Sequence, residues 1–244
     1  MSRPVVSCII PVFNGERYLE ATFDSVFAQT HRPIEVIVAD DGSTDHSAEI
    51  ARTYRQAVVC VQQANAGHAA ARNLGISMAT GDFIAFVDAD DLWHPEKLAR
   101  QLERFAVRPD LGVVFTHLAN FWSPDADPAL RPADEALRPV PGFTSVTMLA
   151  RREVFAAVGL LDAMLRHGND RDWFCRAAEH GVLMEMMPDV LVRRRLHASN
   201  RSAALGGNSR AEYLRILKAS LDRRRAGGNA VVEYPFHSSN GESR

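Results

Sequence analysis

Three carboxylates fall within four residues at Asp88-Ala89-Asp90-Asp91, directly after the apolar run Phe83-Ile84-Ala85-Phe86-Val87. Carboxylates one residue apart on a turning backbone can reach one hard cation. Magnesium or manganese held this way keeps positions open for phosphate oxygens. The same residues could instead end a strand and cap the helix that begins near Pro95. A second acidic strand end, Asp40-Asp41-Gly42-Ser43, suits either a tight turn or a carboxylate hydrogen bonded to a nucleobase or ribose. Asn65 to Asn73 opens a helix with small residues, where Gly67 permits close backbone approach. Arg72 there could reach a base or diphosphate, or snorkel to solvent from an Ala-rich helix. Asn169-Asp170-Arg171-Asp172 sits at a predicted helix start, where a carboxylate either caps the helix or stays ionised beside the positive end of the dipole and serves as a general base. Arg193-Arg194-Arg195-Leu196-His197 could supply cations or an imidazole near a diphosphate, although basic runs and single histidines also occur as solvated surface.

These residues need elements to hold them, and the first half of the chain alternates two periodicities. Short β-branched runs at Val5–Ile10 (stopped by Pro11), Ile34–Ala39, Ala57–Val61 and Phe83–Val87 predict strands. Between them, helical spacing covers Glu16–Gln29, a helix capped by Ser43 or Thr44 and running to about Arg55, and Gly67–Ser77. A further helix starts at Pro95, with Leu98, Leu102 and Phe105 on one face. Such alternation predicts an α/β fold: one Rossmann-like, mostly parallel sheet flanked by helices on both faces. Ligands bind beyond the carboxyl ends of such strands, and Asn14-Gly15, Asp40–Ser43 and Asp88–Asp91 all fall there. The second half is less regular. It shows a strand at Leu111–Thr116, a Pro-rich loop or lid at Ser123–Pro141, and a short strand and helix in Thr147–Val158. A helix at Asp170–His180 with Gly181 as its C-cap, a basic strand at Leu191–Leu196, and a terminal helix at Arg210–Arg225 with Leu214, Leu217 and Leu221 inward complete it. The expected organisation is one domain over 1–225, regular up to residue 107 and less regular from 108, with 226–244 as a flexible tail.

Composition narrows the classes. The 244 residues are 46% hydrophobic and 24% charged, with 28 basic against 30 acidic side chains, a formal net charge of −2. That balance suits a soluble globular protein and offers no general basic surface for nucleic acid. Cys8, Cys60 and Cys175 form no CxxC pair and read as buried thiols of a reducing, cytoplasmic compartment. No apolar run is long enough to span a bilayer, leaving peripheral membrane contact through Arg193–Arg195 or Arg223–Arg225 as the membrane option. There is no GxGxxG, GxxxxGK[ST] or HExxH pattern, which disfavours dinucleotide, P-loop and zinc-protease chemistry.

Taken together and in order, Val6–Asn14, Val38–Asp45, Asn65–Asn73, Asp88–Asp91 and Asn169–Trp173 resemble the family 2 glycosyltransferases of the A-type fold. The resemblance runs over residues 4–200 and is strongest up to residue 107. It implies an inverting, metal-dependent transfer from a nucleoside-diphosphate sugar, most simply a UDP-sugar, to an acceptor hydroxyl in polysaccharide, cell-envelope or glycolipid synthesis. Residue by residue, it implies that Pro11, Phe13 and Asp41 hold the nucleobase, with Asn14 beside them and Asp41 taking the ring imide. Gly67 and Arg72 fall near the base and diphosphate, and Asp88 beside the ribose. Asp90, with Asp88, would hold Mn2+ or Mg2+, and His197 falls where a residue contacts the metal or diphosphate. Asp170 matches the catalytic base and Asp172 a supporting or alternative base, while Asn169 stands where many relatives carry an acid. Two other readings are a non-catalytic nucleotide-binding module of the same fold and a nucleotidyltransferase. The latter is disfavoured because Pro11–Glu16 lacks a basic, Gly-rich character.

Overall fold

The computed structural model describes residues 3–124, 137–197 and 208–226. Its first half follows the predicted alternation: β1 (Val6–Val12), α1 (Glu16–Phe27), β2 (Ile34–Asp40), α2 (Ser47–Thr53), β3 (Val59–Gln62), α3 (His68–Met78) and β4 (Phe83–Phe86). Then come β5 (Leu92–Trp93), α4 (Lys97–Val107), β6 (Leu111–Trp122), β7 (Val140–Pro141), β8 (Leu149–Arg151), α5 (Arg152–Val158), α6 (Asn169–Glu179), β9 (Leu183–Leu196) and α7 (Asn208–Ala226). The strands form one sheet in the order β3-β2-β1-β4-β8-β6-β9-β5, with β7 added to β6. Pairing is parallel from β3 to β4 and between β6 and β9. It is antiparallel where β8 joins β4 to β6 and where β5 joins β9. A core lies on each side of the sheet: Leu19, Phe23, Leu98 and Phe105 pack with Cys8 and Ile10 on one face, and Phe155, Trp173 and Phe174 with Ile9 and Ile84 on the other.

Several boundaries differ from expectation for physical reasons. β1 continues through Pro11, paired with Ala39. The Ile9 carbonyl accepts the Val87 N–H, so Pro11, two residues on, also faces the β4 side, where β4 has already ended at Phe86. The missing proline N–H therefore breaks no ladder bond. α2 starts at Ser47, not at a Ser43 or Thr44 cap, because those hydroxyls bond Asn14 and the Asp45 carboxylate takes the Ser47 N–H. β6 and β9 run far beyond the short strands expected and pair through register shifts that blur the period-2 signal.

The terminal helix is turned the other way from its predicted orientation. Leu214, Leu217 and Leu221 are exposed at 62%, 52% and 46%, while Ile216 and Ser220 are buried. The surface beneath α7 is partly polar: Ser220 Oγ and the Arg223 guanidinium donate to the Glu179 carboxylate of α6. Leucine spacing alone therefore selected the wrong face. Gly181 does cap α6, its N–H reaching the Ala178 carbonyl while that of Val182 reaches Ala177. Of the cysteines, Cys8 and Cys175 are buried, Cys60 is half-buried, and all three are free thiols. The centre of the expected lid, residues 125–136, and the tail from 227 lie outside the described residues. No helix among the described residues is long and apolar enough to cross a membrane.

Candidate active site

The carboxyl ends of β1, β2 and β4 open on one side of the sheet, and their loops are laced together before any ligand is considered. Asn14 adopts a left-handed backbone (φ 52°), a conformation asparagine tolerates better than most residues. Its N–H donates to Ser43 Oγ (2.9 Å) and its Oδ1 accepts from the Thr44 N–H (2.8 Å). The Gly15 N–H donates to Ser47 Oγ (2.9 Å). Phe13, at the end of β1, is 52% exposed, and Pro11 behind it is buried.

The two carboxylates at the carboxyl end of β2 divide their work. Asp40 is fully buried and accepts from the Ser43 N–H and from Gln62 Nε2. Asp41 Oδ1 accepts from Gln63 Nε2 (2.7 Å) and the Ala66 N–H (2.9 Å), and Oδ2 accepts from the Gly67 N–H (2.8 Å). Asp41 thus pins the loop that launches α3 and keeps one acceptor direction on Oδ2. Gly67 has φ 95° and open space where a Cβ would sit, so it is the backbone conformation, not crowding, that calls for glycine.

The acidic loop after β4 is held from both sides. Thr22 Oγ1, buried in α1, lies 3.0 Å from the carbonyls of both Ala89 and Asp91. Opposite, β9 contributes the Arg195 N–H to Asp91 Oδ1 and Arg195 Nε to the Asp90 carbonyl, each at 3.0 Å. Arg195 stacks over Tyr18 at 4.6 Å, and the Tyr18 ring lies 4.8 Å from that of His197. His197 Nε2 is 2.9 Å from Asp90 Oδ2, with the donor set by the tautomer. Burial, and then the neighbouring Asp88, push the Asp90 carboxyl above the usual range. Burial, followed by Asp88 and Asp90, pushes Asp91 well above it. A crowded, poorly hydrated carboxylate pair beside an imidazole is a setting that added positive charge would relieve.

Arg72 connects this loop to the second half. It is 2% exposed and donates from Nη2 to Asp88 Oδ1 (3.1 Å) and from Nη1 to Asp170 Oδ1 (2.7 Å). His68 Nε2 also lies 3.1 Å from Asp88 Oδ1. Asp170 Oδ2 accepts from Thr144 Oγ1, the Ser145 N–H and Ser145 Oγ, all at 3.0 Å. Burial would raise the Asp170 carboxyl, but Arg72, the Ser145 donors and the nearby His68 outweigh it, and its pKa falls below the ordinary value. Asp170 is therefore an ionised carboxylate, with one acceptor direction on Oδ1 left by these bonds.

Asp88, Asp90, Arg72, Asp170 and His197 thus form one connected cluster. Asp172 is not part of it: two residues further along α6, about 200° round the helix, its carboxylate faces away to Arg176 Nε (2.8 Å) and toward Arg223 (3.7 Å). Thr22, His68, Asp91, Thr144, Ser145 and Tyr18 were not among the sequence-predicted site residues. Only Asp91 and His68 carried a signal there, as neighbours within motifs; single hydroxyl-bearing residues on a helix face or in a turn carry none. Among the described residues no group of three or more His, Cys, Asp or Glu could by itself hold a metal. Asp90 and His197 would be two protein ligands, leaving the remaining positions to a substrate's phosphate oxygens.

The sequence profile of glycosyl transferase family 2 matches residues 7–159. The chain belongs to this family. This glycosyltransferase is 31% identical over 234 residues to an uncharacterised glycosyltransferase of Rickettsia typhi, covering 90% of the present chain and 72% of the relative. It is 29% identical to a second, from Rickettsia prowazekii, covering 80% and 65%. The TarS 1–349 structure from Staphylococcus aureus, a complex with UDP-GlcNAc, superposes with a TM-score of 0.67 at 19% identity, over 82% of this chain and 61% of that one. The mannosyltransferase PcManGT of Pyrobaculum calidifontis, in complex with GDP-Man and Mn2+, gives 0.65 at 23% identity, over 83% and 60%. The glycosyltransferase here accordingly has the A-type fold, and it spans about two thirds of the length of these proteins.

Proposed function

We propose that the protein transfers a sugar, with inversion, from a nucleoside-diphosphate donor, UDP-linked in the first instance, to the hydroxyl of a carbohydrate or lipid-linked acceptor in cell-envelope, polysaccharide or glycolipid synthesis. The observation that carries this reading is the Arg72 bridge, which joins the acidic loop after β4 to an ionised carboxylate at the start of α6. Support comes also from family membership and from the UDP-GlcNAc and GDP-Man complexes of the two fold relatives.

Phe13, exposed at the mouth of β1, offers an aromatic edge to the nucleobase, and the remaining lone pair of Asp41 Oδ2 can accept from a ring N–H. Asp88 lies beside the ribose. Asp90 and His197 would hold a divalent cation, manganese or magnesium, which supplies charge neutralisation at the leaving diphosphate. Asp170 Oδ1 accepts the proton of the acceptor hydroxyl as its oxygen attacks the anomeric carbon from the face opposite the leaving group. Because its pKa is low, the proton moves late, once bond formation has acidified the hydroxyl. Arg72 keeps Asp170 ionised and in place, and Asp172 supports the helix from behind.

The first experiment is thermal denaturation with UDP, GDP, CDP or dTDP, each with and without Mn2+. Binding at about one hundred times the dissociation constant stabilises by about 2.7 kcal/mol, several degrees for a chain of this size. The expected result is a manganese-dependent shift with one nucleotide, UDP first. No shift with any of them removes the donor-binding reading. The Asp170→Asn variant should keep that shift while transfer falls about 10²–10⁴-fold; transfer at the wild-type rate would remove the base assignment.

A further inference from the structure

The outward face of α7 has no role in the chemistry above, yet it is the most apolar helix surface left uncovered in the described residues. At about 100° per residue, Leu214, Leu217 and Leu221 fall in one stripe about 60° wide. All three are exposed. Lys218 and Arg225 lie along one edge of the stripe and Arg215 lies beyond them, all exposed, against one outward acid, Asp222. The inner face of α7 sits on the loop that leads into α6. The Glu212 carboxylate accepts the His167 N–H (2.9 Å), and a Cβ on Gly168 would lie within 2.9 Å of Tyr213 and Ile216. The same loop exposes Met164 (88%) and Arg166. An apolar, basic surface therefore stands about one helix diameter, ~10 Å, from the loop that leads into α6, whose first turn carries Asp170.

We propose that the outer face of α7, together with the Met164 loop, rests on an anionic lipid surface and thereby presents the Asp170 side of the site to an acceptor held at that surface. Charge decides the occupant. Leucines flanked by cations complement an anionic interface, where the side chains enter the headgroup boundary and the lysine and arginine heads meet phosphates. A second copy docked on the same face would instead bring six cations together against two acids. The proposal rests on the transferase reading for the acceptor side only. The lipid contact itself stands on the surface of α7.

The test is flotation of the full chain with vesicles of phosphatidylcholine alone and with added phosphatidylglycerol, alongside light scattering for its mass and the nucleotide thermal shift as an independent check on the donor site. Expected are capture by the anionic vesicles, little capture by neutral ones, and loss of capture at high salt. The double variant Lys218→Gln/Arg225→Gln should weaken partitioning about thirtyfold. The triple variant Leu214→Gln/Leu217→Gln/Leu221→Gln should abolish capture while melting normally and keeping the nucleotide shift. The proposal is overturned if wild type ignores anionic vesicles, if the leucine variant still floats, or if that variant instead converts a dimer to a monomer. A lost nucleotide shift with capture intact would remove the transferase reading and leave the lipid contact standing.

Discussion

At the scale of single residues, the decisive group is Asp170, whose two oxygens receive four hydrogen bonds from three residues. Each donor favours the ionised form, so removing one moves its pKa upward. Ser145→Ala deletes the hydroxyl donor and keeps the N–H donor. The expected outcome is that the acid limb of the kcat/KM against pH profile moves to higher pH while the alkaline limb stays in place. An unmoved acid limb would mean that a group other than Asp170 titrates there. Thr144 and Ser145 were invisible from sequence because they reach Asp170 from a turn before β8, with no periodicity or motif to connect them. Asp170 itself was legible from its place beside Asn169 and Asp172 at a helix start. The choice between Asp170 and Asp172 was not, since it depends on which face of α6 each occupies.

Elements carry the same lesson with the emphasis changed. β1 to β4 and the helices between them follow directly from alternating periodicities, and with them the strand ends that hold Asp41, Asp88 and Asp90. α4 was found together with its inward Leu98, Leu102 and Phe105, but not the polar part of that buried face: Lys97 and Gln101 are as buried as Leu98. Lys97 Nζ donates to Gln101 Oε1 (2.9 Å) and lies 4.4 Å from the centre of the Trp93 ring, and Gln101 Nε2 serves the carbonyls of Val114 and Thr147. Residue types that read as solvated thus anchor the helix to the sheet. Burial lowers the Lys97 pKa from 10.5 to about 7. Below pH 7 both folded and unfolded states hold the proton, and the penalty of the buried charge is complete. Between pH 7 and 10 the unfolded chain binds more protons, so folding grows more favourable as pH rises. Denaturant titrations should therefore show the wild type gaining on Lys97→Met across that interval, by as much as about 4 kcal/mol. Parallel stability curves for the two proteins would place the charge of Lys97 in a hydrated setting.

For the whole molecule, the question is how the second half, the part least legible in sequence, is fixed to the first. β8 joins β4 to β6, and β9 returns beside β6 to bring Arg195 and His197 back to the acidic loop. None of this was readable locally. β6 and β9 run together over most of their length through register shifts, and long-range antiparallel insertion of β8 leaves no mark in a window of residues. Between the two halves, Arg72 ties α3 to α6, itself nearly without solvent contact. Removing it leaves Asp170 buried without its guanidinium partner, a loss of about 3–5 kcal/mol for a broken buried pair. In the wild type the depressed Asp170 pKa contributes stability that is present above the unfolded value of 3.8 and is lost as pH falls through the folded one. In Arg72→Met the push from burial is no longer opposed by that cation, the folded pKa moves up, and the contribution disappears at neutral pH. The melting temperature of Arg72→Met should thus lie of order 10 °C below wild type at pH 7, and the gap should narrow toward pH 4 as Asp170 takes up its proton in the variant while the wild type still holds it ionised. A gap of constant width would assign the loss to packing of the Arg72 side chain against Phe86 (5.5 Å from the ring centre) and not to the ion pair that joins the two halves.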